Sequence, residues 1–125
     1  MKVKTRLMLG VILLVIAIVV GGIYLIQNRA QKPVAVFVPE LSAEARRGAV
    51  AFQSHCAACH GENAGGTHKG PPLMDQIYRP AHHSDISFVR AVTLGVAQHH
   101  WLFGAMPPQP ELDGAIVDQI VVYIP

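Results

Sequence analysis

The most specific chemistry in the sequence sits in five consecutive residues, Cys56-Ala57-Ala58-Cys59-His60. Two thiols two residues apart, with an imidazole directly after the second, form C-x-x-C-H, the signature of covalent haem attachment. At that spacing the thiols add to two vinyl groups of one haem as thioethers, and the following imidazole is held beneath the iron as proximal ligand. These are the only two cysteines in the chain. A disulfide across so short a loop would constrain little of the unfolded chain. A zinc site would ask for four ligands, commonly two such pairs, and a thioredoxin-like redox pair would sit in a strand-and-helix unit that this sequence lacks.

An iron that passes electrons without binding small molecules needs a second axial ligand, and a thioether favours the ferrous state and raises the reduction potential. Met106 stands in Gly104-Ala105-Met106-Pro107-Pro108, where Gly and Pro enforce a non-helical loop able to present the sulfur from the opposite face. Of the four methionines, Met1 and Met8 lie in or before an N-terminal apolar run, and Met74 follows a Pro-Pro-Leu turn as a wall residue. The competing role for Met106 is ordinary core filler. Trp101 and Phe103 read as haem wall, with the Trp101 indole N–H reaching for a propionate.

The seven histidines are His55, His60, His68, His82, His83, His99 and His100. The doublets offer two other readings. His99 or His100 in place of Met106 would give a lower potential, and imidazoles drawn from both doublets would make an auxiliary copper or zinc site. Against the second stands the surface role of most histidines, and the fact that adjacent residues on one helix point apart. A third class, a gas or peroxide binder with an open sixth position, is told apart by carbon monoxide, which a Met-closed iron resists. No general-acid dyad and no nucleophile with its base is present. The loop 61–70 lacks the Gly-Lys-Ser/Thr ending of a phosphate cradle.

The elements that must position these residues are helical. A helix is predicted from about Ser42, its N-cap, to His55, with Gly48 and Phe52 on one face. Residues 61–73, rich in Gly and holding a Pro-Pro pair, form a loop. A second helix spans Ser84 to Gly95, with Ser84 as its capping residue and Ile86, Val89, Val92 and Val96 at helical spacing. Residues 104–110 form another loop, and a last helix starts at Asp113 as N-cap, with Ile116, Ile120, Tyr123 and Ile124 on one face and Val117 and Val121 beside them. No alternating strand pattern appears, so the fold class is all-α.

Upstream, Leu7–Ile26 carries no charge, and as a helix it spans roughly 30 Å, the thickness of a bilayer's hydrocarbon core. It reads as a transmembrane anchor within residues 1–28. The alternative is a cleaved signal, whose apolar stretch is normally shorter and ends in a small-x-small site. Lys2, Lys4 and Arg6 before the run, against Arg29 and Lys32 after it, favour a cytoplasmic N-terminus and put the rest on the far side. Residues 29–40 read as a linker with one hydrophobic patch, and 41–125 as the domain. Of the ten Lys and Arg, five lie at or before Lys32, so the remainder sets five against all eight acidic residues, a formal −3. The overall +2 belongs to the anchor and gives no support to nucleic-acid binding. A domain of about 85 residues is one at which apolar burial alone is marginal, and covalent haem supplies the missing mass.

With these motifs in place, residues 41–125 resemble a class I mono-haem c-type cytochrome. In that family the first and last helices cross, with a Gly and an aromatic on one meeting an aromatic on the other, and Gly48, Phe52 and Tyr123 match. The family's Gly-Pro-x-Leu turn matches Gly70-Pro71-Pro72-Leu73, so by resemblance the Pro71 carbonyl orients His60. Its Met-Pro pair matches Met106-Pro107. The family's last helix usually continues beyond its aromatic, whereas this sequence stops at Pro125. The resemblance implies a small helical domain wrapped around one covalent haem c, working as an electron carrier and not as an enzyme, or as the haem subunit of a larger complex. The implied partners are redox proteins at a membrane: a quinol-oxidising complex, a terminal oxidase or a dehydrogenase. The implied place is a bacterial inner membrane, single-pass, with the haem domain in the periplasm or on the outer face.

Overall fold

The computed structural model describes residues 2–30 and 32–124, with side chains for 4–26 and 32–124. The side chains of Lys2 and Arg29, used above to orient the anchor, and the terminal Pro125 lie outside the described residues. The chain divides into two compact units, residues 1–30 and 31–125.

The first unit is one helix, α1 (Lys2–Ala30), continuing two residues into the expected linker. It has no polar face: Leu, Ile and Val side chains are at least half exposed all round it from Leu7 to Ile26. Its stretch Lys4–Ile26 is long and apolar enough to cross a membrane. A helix with exposed apolar side chains on every side over this stretch is compatible with a membrane anchor.

The second unit is built on α2 (Ala43–His55), α3 (Ala57–His60), α4 (Asp85–Leu94) and α5 (Gly114–Tyr123), with 3₁₀ turns at Glu62–Ala64 and Gln76–Tyr78. Among the described residues there is no strand, only an isolated antiparallel bridge between Val96 and Met106. Ser42 caps α2 by accepting the Ala45 N–H at 3.1 Å, and the Asp113 carboxylate caps α5 by accepting the Ala115 N–H at 2.7 Å. Each satisfies a backbone donor that the first turn leaves over.

Helices α2 and α5 cross at Gly48, where a Cβ would lie 1.9 Å from the Gln119 carbonyl oxygen. Only Gly lets the backbones come this close. One turn on, Phe52 meets Tyr123, ring centroids 5.5 Å apart and tilted by 54°. These rings join Ala64, Leu73, Ile120 and Ile124 in the core, and Phe52 is 1% exposed. The expected crossing residues therefore meet, and Val117, placed beside the face in the sequence reading, is buried with it.

Two expectations need correction. Val96 does not continue the stripe of α4, because Gly95 at φ +74° ends the helix and sends Val96 into the bridge with Met106. Ser84 holds the N-cap position without a side-chain cap bond, and its carbonyl instead accepts the Ser87 hydroxyl at 2.6 Å. Residues 32–40 group with the second unit, where the Val34 N–H donates to the Gly65 carbonyl at 2.7 Å.

Candidate functional site

The C-x-x-C-H residues occupy the joint between α2 and α3. Cys56 closes α2, its N–H donating to the Phe52 carbonyl at 2.8 Å, while its own carbonyl accepts the N–H groups of Cys59 at 3.1 Å and His60 at 2.9 Å. One helical turn thus fixes the spacing of both thiols and the imidazole. Gly61, at φ +78°, reverses the chain, and a Cβ there would lie 2.3 Å from the Gly66 carbonyl oxygen. The Gly66 N–H returns to the His60 carbonyl at 2.6 Å, and the Thr67 hydroxyl donates to the Cys59 carbonyl at 2.5 Å. Gly70 then passes so near that its Cβ would lie 2.9 Å from the same Cys59 carbonyl oxygen.

That close pass brings the Pro71 carbonyl to His60 Nδ1 at 3.0 Å. A carbonyl only accepts, so Nδ1 carries the hydrogen and Nε2 keeps its lone pair, the state an imidazole needs to bind a metal. Burial holds the His60 pKa below the usual imidazole value, against the opposing pull of the Pro71 hydrogen bond, so the ring is neutral near pH 7. Both cysteines are free. Burial, with a smaller contribution from Cys59, pushes the Cys56 thiol up to about 11, which keeps it protonated.

In the loop region that follows α4, Met106 and Val96 exchange two backbone hydrogen bonds of 2.9 Å each. Gly95 makes room for them, since a Cβ there would lie 2.7 Å from the Met106 carbonyl oxygen. Cys56, His60, Pro71, Trp101 and Met106 all line one cavity of about 480 Å³, within the roughly 300–1,000 Å³ of ligand sites. Its other walls include Leu73, Phe88, Val92, Val117 and Ile120. Cys59 is exposed and stands outside this lining.

Two features were not legible in the sequence. Tyr78 lines the cavity, and its hydroxyl accepts the Trp101 indole N–H at 3.0 Å, so in this structure the N–H expected to reach a propionate is spent on Tyr78. Burial, offset by that bond and reinforced by Asp75, pushes the Tyr78 hydroxyl up to about 12. No motif or spacing in 74–83 marks this tyrosine. The other is how the two histidine doublets, offered by the sequence as a shared metal site, come together. They lie outside the helices, so the rule that helix neighbours point apart does not govern them. His99 and His100 have ring centroids 4.2 Å apart, and His82 and His83 each stand 5.3 Å from His100. Partial desolvation and the rings of His99, His82 and His83 hold the His100 pKa below its usual value.

A haem fits the residues present. A mostly apolar cavity carries one neutral imidazole with Nε2 free, one thioether and a thiol on its wall, and a second thiol on the adjoining turn. A family model described as cytochrome c matches residues 45–125. No curated protein and no solved structure matches the chain. The family match covers the cavity, the C-x-x-C-H turn and the crossed helices together. The chain therefore belongs to the cytochrome c family, proteins that bind haem covalently and transfer electrons.

Proposed function

We propose that this protein is a membrane-anchored electron carrier with one covalent haem, held by thioether bonds from Cys56 and Cys59 and ligated by His60 and Met106. The observation that carries the reading is that His60, oriented through Nδ1 by the Pro71 carbonyl at 3.0 Å, and Met106, fixed by its paired bonds to Val96, line the same cavity. Bound haem supplies the one-electron couple of its iron. The rest is done by the chain. Cys56 and Cys59 secure the group, and the Pro71 carbonyl fixes which nitrogen of His60 is available. The Val96 bridge holds the Met106 backbone at the cavity wall, and apolar side chains would keep water from the ligands. None of these backbone bonds depends on oxidation state, so the site can gain and lose an electron with little rearrangement.

The anchor α1 would confine the domain to a membrane surface and raise the effective concentration of partners there. We place it at a bacterial inner membrane with the domain on the periplasmic or outer face. The partners proposed are a quinol-oxidising complex, a terminal oxidase or a dehydrogenase, met as a free carrier or as a subunit. Copurification from mild detergent tests this assignment: a redox complex recovered with the protein supports the subunit form, and recovery with no redox partner would count against it.

A second reading has one observation behind it: His99 and His100 line the cavity too, so either offers an alternative sixth ligand. The oxidised spectrum separates the two. Ferric protein should show the weak far-red band of a methionine sulfur on haem iron, and Met106→His should abolish it. Absence of the band in the unaltered protein would favour a histidine.

A further inference from the structure

The four histidines of the two doublets make a second candidate site that electron transfer does not use. One imidazole nitrogen from each of His82, His83 and His100 can be chosen so that all three lie within 4.8 Å of one another. Three donors a few ångströms apart can each reach a common ion at the roughly 2.0 Å typical of a zinc–imidazole bond. The set holds no carboxylate and no thiolate. Imidazole donors suit zinc, copper and nickel, whereas magnesium and calcium take oxygen ligands.

A second observation points the same way. His83 Nδ1 lies 2.6 Å from the Ile77 carbonyl, so it must donate there, which fixes the tautomer and leaves Nε2 as the lone-pair nitrogen. His99, whose ring is 4.2 Å from that of His100, is likewise oriented by Nδ1 against the Ala97 carbonyl at 2.8 Å. Metal-binding histidines are commonly oriented by such a bond from the other ring nitrogen to a backbone carbonyl. His82 and His100 are exposed and His83 is half-buried, so an ion reaches the group from solvent while one ligand is anchored in the fold.

We propose that His82, His83 and His100 form a surface site for one late first-row divalent cation, zinc or copper, with solvent or His99 completing the coordination. The site joins the turn at 79–83 to the loop at 98–103, and its members His83 and His100 also line the haem cavity. A bound cation would clip those two segments together beside the cavity. The assignment rests on Met106 holding the sixth position of haem iron, since His100 taken up by that iron would leave this set with two imidazoles.

Equilibrium dialysis of the chelator-treated, haem-loaded full chain against zinc chloride tests the proposal. One zinc per chain should bind with Kd at or below about 1 µM. His82→Ala and His100→Ala should each weaken binding at least about tenfold, while His68→Ala, outside this set of imidazoles, should leave it unchanged. X-ray absorption at the zinc edge of the unaltered protein gives a readout that needs no variant: nitrogen and oxygen neighbours only, with the outer-shell scattering of at least two imidazole rings. Failure to retain zinc at micromolar concentration, equal binding by the His82 and His100 variants, or a spectrum without imidazole scattering would each overturn it.

Discussion

The two walls of the cavity are held in different ways. The His60 wall is a closed local device: between Cys56 and Leu73 the chain returns on itself through backbone bonds from Gly66 to His60 and from Leu73 to Ala64. Gly61 and Gly70 permit approaches that a Cβ would block. The Met106 wall is held by the exchange with Val96 and, three residues on, by the Gln109 N–H on the Val92 carbonyl at 2.7 Å, with Gly95 passing close to Met106 and Pro108. Beyond it Gly104, at φ +90°, has nothing within 4 Å of where its Cβ would stand, and its N–H is met by the exposed Gln98 side chain at 2.8 Å. The difference shows where rigidity is spent. The residues proposed to attach and orient the cofactor are fixed by many short-range constraints, whereas Met106, the proposed distal ligand, sits between the Val96 bridge and an open loop at Gly104, so on this reading strain or ligand loss should begin on the Met106 side.

Substitutions can break that contrast, and the largest effect is expected at the proximal turn. Gly61→Ala combines a left-handed backbone with a backbone clash at Gly66, so it should cost more than about 3 kcal/mol and lower the yield of pigmented protein. Chemical denaturation of the surviving protein, with haem content by absorbance, measures both. Met106→Ala should cost about 2 kcal/mol, retain its covalent pigment, lose the far-red band and let the reduced protein take up carbon monoxide. Retention of the band would assign the sixth position to another residue.

Gly104→Ala sharpens the comparison from the distal side. It meets no neighbour, so only the left-handed backbone opposes it, at about 1 kcal/mol. A loss as large as that of Gly61→Ala would contradict the asymmetry. Tyr78→Phe removes the acceptor of the Trp101 indole and should cost about 0.5–1 kcal/mol. The same variant tests the alkaline limit. The Tyr78 hydroxyl is raised from 10.0 to about 12 in the fold, so the native state holds this proton more tightly than the unfolded chain does. Its contribution is complete below pH 10 and is lost as pH rises towards 12. Denaturation midpoints followed from pH 9 to 12 should therefore fall more steeply in the unaltered protein than in Tyr78→Phe.

What the sequence disclosed follows the range of the forces involved. The C-x-x-C-H turn is local chemistry, and the capped helices α2 and α5 carry their boundaries in Ser42 and Asp113, so all were readable as strings. The Gly48 crossing and the Pro71 contact to His60 are long-range, and only family resemblance pointed to them before the structure placed them. The bridge at Val96 was hidden because Val96 also fits a helical stripe and one glycine decides between the two. Tyr78 and the meeting of the histidine doublets depend on how two loops fold against each other, which no periodicity records.

The central claim is tested most directly by asking whether pigment stays with the denatured chain. Expressed in a host that matures c-type cytochromes, the protein should carry haem-associated peroxidase activity at its own mass on a denaturing gel. That signal should weaken or vanish when Cys56 and Cys59 are both replaced by Ala. A colourless unaltered chain, or pigment equally retained without the two cysteines, would contradict the account.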